Sequence, residues 1–203
     1  MGQIKTERNT GGIEGLCVIE PLVHEDSRGC FMETYNAADM KEAGFDIVFV
    51  QDNQSSSSKG VIRGLHYQKE FPQTKLIRCI KGCVYDVAVD LRKDSPTYGR
   101  YYGLILSAEN RKQLLIPKGF AHGFLVLSDT ADLCYKCDDL YHQNDEAGLA
   151  WNDPDLGIDW PGVKGDYNGT ADPAGYVLED VPLTLSEKDG KWPRLKDIKL
   201  KTL

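Results

Sequence analysis

The segment Val61-Ile-Arg-Gly-Leu-His-Tyr-Gln68 places an arginine and a histidine inside an apolar run that is typical of a buried β-strand. Arg63 and His66 are three residues apart, so a regular strand would direct their side chains to opposite faces. Gly64 stands between them, and a glycine within a strand often marks a β-bulge. We therefore predict a bulge at Gly64 that turns both side chains into one cavity.

The sequence around this segment favours an all-β fold. Short apolar runs alternate with turn residues, and positions 83–91 alternate with period two, which predicts a half-buried strand. We expect a jelly-roll sandwich or barrel with a few short helices. The only clear helix is 36–44, with Asn36 as N-cap and Gly44 as C-terminal stop. The predicted strands are 76–80, 83–91, 100–106, 113–116, 123–127 and 131–140.

Two polar segments lack the apolar pattern of the predicted strands. The serine-rich stretch 54–58 predicts a loop that leads into the strand of His66. The Gly- and Asp-rich stretch 162–175 predicts an exposed excursion near the end of the domain. Neither stretch resembles a linker between domains, so we expect residues 1–203 to form a single domain.

The net charge and the distribution of basic residues limit the classes of molecule that the protein is expected to bind. The net charge is −7 over 203 residues and no segment concentrates lysine and arginine, which argues against nucleic acid and anionic membranes as partners. A small anionic ligand could still be held by a few arginines. The sequence contains no signal-peptide pattern and no apolar run of about 18 residues, so we expect a cytoplasmic protein.

The six cysteines are expected to be free thiols in such a compartment. Cys134 and Cys137 form one C-x-x-C pair in a strand-like segment, where their side chains would point to opposite faces. A tetrahedral zinc site needs two more ligands, and no second pair follows. We therefore assign these cysteines to core packing.

Two of the four histidines, His66 and His122, lie beside glycine in apolar segments. His122 belongs to Pro117-Lys-Gly-Phe-Ala-His-Gly-Phe124, and the two segments together resemble the histidine-bearing hairpins of the cupin superfamily. Metal-binding cupins carry His-x-His on the first hairpin, whereas this sequence has Gln68 at the second position. Carboxamides are poor ligands for metals that imidazoles select, so we predict no metal and no cofactor.

A larger set of segments resembles the dTDP-4-dehydrorhamnose 3,5-epimerase family within the cupins. The resemblance spans about residues 15–160 and resumes at 186–189. It is carried by 26–35, 49–55, 61–68, 75–82, 117–124 and 186–189.

This resemblance implies an enzyme that inverts C3 and C5 of a nucleotide-linked 4-keto-6-deoxy sugar through enolates. It assigns His66 as the base and Asp189 as the carboxylate that orients it. Tyr135 would be the proton donor, and Lys75 would lie near the C4 oxygen. The residues alone leave alternatives open, since His66 could be a core histidine and Asp189 a solvated turn residue.

The resemblance also implies a binding set for a dTDP-linked sugar. Arg28 and Arg63 would hold the diphosphate, because a guanidinium fork matches phosphate oxygens. Family members pair as homodimers through exchanged N-terminal strands, which would bring Arg28 and Glu33 to the neighbouring site. The remaining binding candidates are Phe31, Gln51, Asn53, His122, Tyr141 as a thymine platform, and Glu146.

Four other functions stay open from the sequence. An epimerase that acts at C3 or C5 alone, or a 3,4-ketoisomerase, would share the fold and the nucleotide. A binding module without catalysis would be expected to lack the base or the acid, and His66 and Tyr135 are both present. A metal-dependent cupin oxygenase would need three or four metal ligands, which the sequence does not supply.

Overall fold

The computed structural model describes residues 3–199 as an all-β protein with one short α-helix and several 3-10 turns. The helix α1 covers Ala37–Glu42. The strands are β1 (Ile4–Arg8), β2 (Cys17–Pro21), β3 (Val23–Asp26), β4 (Gly29–Met32), β5 (Gln51–Ser58), β6 (Ile62–Gln68), β7 (Lys75–Lys81), β8 (Cys83–Asp90), β9 (Tyr101–Ser107), β10 (Gln113–Ile116), β11 (Phe120–Val126), β12 (Thr130–Cys137), β13 (Glu146–Gly148), β14 (Val163–Lys164), β15 (Val177–Leu178) and β16 (Val181–Pro182).

Two large sheets form the sandwich that the strand pattern predicts. One has six strands in the order β1-β2-β10-β7-β12-β5, and the other has five in the order β13-β6-β11-β8-β9. The strand pairings within both are antiparallel, and neighbours in the sheets are often distant in sequence, as in a jelly roll. A buried apolar layer that includes Ile77, Leu114, Leu133, Leu106 and Phe124 lies between them.

The outer faces of both sheets are also covered. Against the five-stranded sheet packs the C-terminal part of the chain, through Trp151, Trp160 and Tyr176. Against the six-stranded sheet pack Met40 of α1 and the segment that carries Phe45. Other parts of the chain therefore cover apolar residues on both outer faces of the sandwich.

Helix α1 forms for the reasons that the sequence indicates. The Asn36 side chain accepts hydrogen bonds from the backbone N–H groups of Ala38 and Asp39, at 2.9 and 3.3 Å. Gly44 follows the helix with φ of 82°, a left-handed conformation that ends it. The predicted N-cap and stop are confirmed.

The predicted bulge at Gly64 is confirmed by the strand register. In the β6–β11 pair, His66 lies opposite His122 and Arg63 lies opposite Phe124, so three steps along β6 match two steps along β11. The extra residue brings Arg63 and His66 to the same face of the sheet. Both therefore line the interior of the sandwich.

The prediction of a loop at 54–58 is wrong, because these residues form most of strand β5. Every residue from Gln51 to Ser58 is paired with β12, and alternate side chains are partly buried and exposed. The strand lies at the edge of its sheet, with one face toward a cavity rather than a core. Polar side chains suit both the face toward the cavity and the face toward solvent. The strand therefore lacks the alternation of apolar and polar residues by which a strand is recognised in a sequence.

The expectation for strand β8 also needs correction. Strand β8 is not half-buried, because its last five residues are buried and the carboxylates of Asp86 and Asp90 are fully enclosed. The prediction that 162–175 is an exposed excursion is confirmed, although the stretch contains β14 and is anchored through Ala171. The Ala171 carbonyl accepts a 2.8 Å hydrogen bond from the Trp151 indole.

Candidate active site

A cavity of about 340 Å³ lies between the two large sheets and opens to solvent. Strands β5 and β12 form one wall, and β6 and β11 form the facing wall. The cavity is large enough for part of a nucleotide sugar and is lined mostly by polar side chains. Its lining residues are Gln51, Asn53, Ser55, Arg63, His66, Tyr67, Gln68, Gln73, Lys75, His122, Phe124, Tyr135, Tyr141, Glu146 and Lys188.

His66 and Asp189 form a hydrogen-bonded pair at the cavity wall. His66 Nε2 is 2.6 Å from Asp189 Oδ1, and Asp189 is 3% exposed. The other ring nitrogen, Nδ1, is 3.9 Å from Glu146 Oε1. Nδ1 is therefore the nitrogen that is free to exchange a proton with a ligand, while Asp189 holds the ring.

Two further groups fix the Asp189 carboxylate. The Trp192 indole N–H donates to Oδ1 at 3.1 Å, and the Gly64 N–H donates to Oδ2 at 3.3 Å. Burial acts to raise the pKa of Asp189, but its hydrogen bond to His66 and these two donors leave that pKa below the ordinary value. Asp189 therefore stays ionised and can stabilise a proton on His66.

Lys75 and Tyr135 lie on the wall formed by β7 and β12. Burial lowers the pKa of the Lys75 ammonium and raises the pKa of the Tyr135 phenol. Within residues 3–199, the Lys75 ammonium has no carboxylate at ion-pair distance. Lys75 is half-buried, and a partly desolvated cation without a direct counter-ion is suited to stabilise negative charge on a ligand.

His122 forms a second histidine–aspartate pair deeper in the sandwich. Its Nε2 atom is 2.9 Å from Asp86 Oδ2, and both residues are buried. The sequence predicts His122 as a site residue, whereas Asp86 was not among the predicted residues. Asp86 stands in an apolar strand, and this is the feature of the sequence that could have identified it. Where a strand is enclosed on both faces of the sheet, a carboxylate requires a partner.

Gln68 occupies the position where metal-binding cupins have a histidine, and its amide is engaged with nearby loops. Its Nε2 donates to the carbonyl of Phe71 at 2.6 Å, and its Oε1 accepts from the His142 N–H at 2.6 Å. In the part of the chain that the structure describes, no three His, Cys, Asp or Glu side chains come together as metal ligands. All six cysteines are free thiols.

The polar end of the cavity contains a connected set of side chains. Glu146 accepts from the Tyr141 hydroxyl at 3.1 Å and forms an ion pair with Lys188. Gln51 Oε1 accepts from the Tyr141 N–H at 2.8 Å, and Gln51 also donates to Asn53 at 2.8 Å. Lys188 was missed by sequence analysis, although it stands next to Asp189 in the segment that carried the resemblance.

Arg63 lies at the rim, where its side chain is exposed. Its Nε donates to Ser57 Oγ at 2.9 Å, which holds the guanidinium beside β5. Three of the four predicted catalytic residues, His66, Tyr135 and Lys75, line the cavity, and the fourth, Asp189, lies behind His66. The predicted binding residues that line it are Arg63, Gln51, Asn53, His122, Tyr141 and Glu146.

Three predicted binding residues lie outside this cavity. Arg28 pairs with Asp26 at 2.5 Å on the β3–β4 hairpin, Phe31 is 67% exposed, and Glu33 accepts from Asn36 at 2.9 Å. The hairpin forms its own two-stranded sheet and pairs with neither large sheet. Within one chain, therefore, Arg28, Phe31 and Glu33 do not complete the cavity.

The fold and the two histidine–aspartate pairs define a jelly-roll protein with an acid–base site, and comparison with known proteins identifies its family. The sequence profile of the dTDP-4-dehydrorhamnose 3,5-epimerase family matches residues 10–197, including the stretch between 160 and 186 that the motif resemblance left out. The chain belongs to this family.

Relatives and solved structures agree with that assignment. The chain is 50% identical over 186 residues to the dTDP-4-dehydrorhamnose 3,5-epimerase of Methanothermobacter thermautotrophicus, covering 91% of this chain and 92% of the relative. It is 46% identical to that of Escherichia coli, covering 89% and 96%. An epimerase structure from Legionella pneumophila in complex with dTDP-4-keto-L-rhamnose superposes with a TM-score of 0.85 at 44% identity, covering 97% and 95%.

A more distant neighbour performs a narrower reaction. It is a 3'-monoepimerase from Streptomyces bikiniensis in complex with dTDP-quinovose, with a TM-score of 0.77 and 33% identity over 90% of this chain and 85% of that one. The jelly roll thus carries both double and single epimerases. No helix within residues 3–199 is long and apolar enough to cross a membrane.

Proposed function

We propose that this protein inverts C3 and C5 of dTDP-4-dehydro-6-deoxy-D-glucose, giving dTDP-4-dehydro-L-rhamnose for deoxysugar synthesis. The observation that carries the proposal is that His66, Tyr135 and Lys75 line one cavity, with His66 held by a buried carboxylate. An epimerisation beside a ketone needs a base, an acid and a positive charge near the enolate oxygen.

In the proposed mechanism, His66, Lys75 and Tyr135 each act once at C3 and once at C5. His66 Nδ1 removes the proton, and Asp189 stabilises the imidazolium that results. The electron pair moves onto the C4 oxygen, where the Lys75 ammonium stabilises the enolate. Tyr135 then delivers a proton from the opposite face of the ring, which inverts the centre. Before the second carbon reacts, His66 gives its proton to solvent and Tyr135 regains one from solvent through the open cavity. Because Asp189 is buried and hydrogen-bonded to Trp192, its orientation toward His66 is maintained during the cycle.

The wider binding roles are part of the same proposal. Arg63 at the rim would hold the diphosphate, assisted by Gln51 and Asn53, while Tyr141 and Glu146 would contact the nucleotide. We further propose a cytoplasmic homodimer in which Arg28, Phe31 and Glu33 act on the neighbouring subunit's cavity. The exposed β3–β4 hairpin, separate from both large sheets, supports this arrangement.

The experiment that tests the reaction is deuterium exchange. The protein is incubated with dTDP-4-keto-6-deoxyglucose in deuterated water, and C3 and C5 are followed by NMR. Deuterium at both carbons is expected. Incorporation at one carbon would instead support a single epimerase, which the likeness to the Streptomyces bikiniensis enzyme makes the second candidate. No incorporation would leave only a binding module.

The role of His66 is tested in the same assay. His66→Ala should slow exchange at both carbons by roughly 100- to 10,000-fold, because it removes the base, while dTDP affinity changes little. His142→Ala serves as the control, since His142 stacks on Phe71 outside the cavity lining. Exchange at the wild-type rate in His66→Ala would show that another group is the base.

A further inference from the structure

Ser55 lines the cavity and carries a buried hydroxyl to which none of the roles above applies; a rotation about χ1 would turn this hydroxyl toward a ligand. Its Oγ atom is shielded from solvent and has no hydrogen-bond partner within residues 3–199. The side chain belongs to the inward face of β5 and lines the cavity with Tyr135 and Arg63. A buried hydroxyl without a partner is unfavourable, which indicates that a ligand provides one.

The position of Ser55 along β5 indicates which ligand atom that is. Asn53 lies opposite Tyr135 in the sheet, and Ser57 accepts the hydrogen bond from Arg63. Ser55 lies between these two inward residues. It is therefore placed between the phenol that faces the reacting carbons and the guanidinium that holds the diphosphate.

In a nucleotide sugar, the diphosphate is attached at C1, and C2 joins C1 to the reacting carbon C3. The ring hydroxyl between the phosphate and the reacting carbons is therefore the one at C2. We infer that Ser55 hydrogen-bonds the C2 hydroxyl of the hexose and so selects 2-hydroxy over 2-deoxy substrates. This inference rests on the proposed function, which supplies the orientation of the ligand.

A site built to hydrogen-bond a hydroxyl disfavours the analogue without it, because its own polar group is then left unpaired. The pair of stable, unreactive ligands that tests this is dTDP-glucose and dTDP-2-deoxyglucose. Calorimetry on the wild-type protein should show dTDP-glucose binding roughly tenfold more tightly. Ser55→Ala should remove this preference and leave the affinity for dTDP alone unchanged.

The matched control is Ser56→Ala, because Ser56 is the next residue of the same strand and its side chain faces outward. It should keep the wild-type preference. A second variant, Ser55→Thr, retains the hydroxyl and should retain at least part of the preference. These binding measurements do not depend on turnover.

Three results would overturn the inference. An unchanged preference in Ser55→Ala would mean that the hydroxyl does not contact C2. Equal weakening for both sugars would indicate a structural role, and weaker binding of dTDP alone would indicate a phosphate contact. Failure of the proposed reaction is a separate outcome, visible as absence of deuterium exchange in the wild-type protein.

Discussion

At the scale of single residues, the charge of Lys75 is the property most exposed to pH. In the proposed mechanism its ammonium must be protonated to stabilise the enolate, and burial lowers its pKa from the ordinary 10.5. Tyr135 must also be protonated, but burial raises its pKa from the ordinary 10.0. As pH rises, the charged form of Lys75 is lost earlier than in water, whereas the phenol of Tyr135 is retained for longer.

We therefore predict that Lys75 sets the alkaline limb of kcat. Lys75→Arg should lower kcat, because a guanidinium does not fit the position of an ammonium, yet its charge persists at any pH where the protein is folded. The decline of kcat should then move to higher pH. The measurement is kcat between about pH 7 and about pH 10.

Lys112→Arg is the control for this experiment, since Lys112 pairs with Glu20 on the surface and should leave the profile unchanged. If Lys75→Arg kept the wild-type alkaline limb, another group would be responsible for it.

The chemistry of the site was predictable for some residues and not for others. His66 and Arg63 stood out because polar side chains in an apolar strand require a reason. Asp189 did not, since Lys-Asp-Gly is typical of an exposed turn and only the family resemblance singled it out. The structure encloses this turn between Trp192 and the Gly64 backbone. Such burial comes from contacts across more than a hundred residues, which a local pattern cannot contain.

At the scale of elements, the bulge in β6 determines whether the site forms. Gly64 has φ of 112°, and a Cβ atom there would lie 2.6 Å from the His122 carbonyl oxygen and 2.7 Å from the Gly123 Cα. Both neighbours are backbone atoms of the paired strand β11, so they cannot move aside without disturbing the sheet. Only glycine fits this position.

We predict that Gly64→Ala destabilises the protein by roughly 2–6 kcal/mol, from the positive φ and the clash together. It should also lower activity in the protein that remains folded, because Arg63 and His66 would no longer share a face. The measurements are the free energy of unfolding in urea and the rate of exchange at C3 and C5. Gly190→Ala is the matched control, since the closest atom to a Cβ there is 3.8 Å away. Equal stability of both variants would contradict this account of the bulge.

Strand β5 shows the limit of element prediction from periodicity. Hydrophobic alternation identifies strands that cover a core, and it found β8 and β12 within a few residues of their ends. β5 covers a cavity, so its inward positions are glutamine, asparagine and serine. The polarity that makes the strand resemble a loop is the same polarity that equips it to bind a ligand.

At the scale of the whole molecule, the cavity of one chain supplies little of the guanidinium charge that is proposed to hold the diphosphate. Arg63 is the only arginine among its lining residues in the described part of the chain, while Arg28 is highly exposed on the separate β3–β4 hairpin. Phe31 on the same hairpin is 67% exposed, which is unusual for a large apolar side chain without a partner. Single-domain organisation and dimer formation both stay predictions.

The proposed dimer can be tested by mixing two damaged subunits. Arg28→Ala should lower kcat/KM by about 10- to 100-fold, because it removes a charge-assisted contact to phosphate. His66→Ala should remove catalysis in its own cavity. If Arg28 acts across the dimer, a mixed dimer contains one intact cavity, which combines His66 of one subunit with Arg28 of the other. Refolding an equal mixture should then restore roughly a quarter of wild-type activity, because half of the dimers are mixed and each has one working site.

The control mixture combines His66→Ala with Tyr135→Phe, two residues that line the same cavity of one chain. Every site in these mixed dimers lacks either the base or the acid, so no activity should return. Restored activity in both mixtures would mean that residues of the cavity itself, and not only those of the hairpin, act on the neighbouring subunit's site. Restoration in neither, with dimers present by light scattering, would mean that Arg28 serves the cavity of its own chain. Because the two mixtures differ only in whether the second change lies on the hairpin or in the cavity, the comparison isolates the path by which Arg28 reaches a substrate.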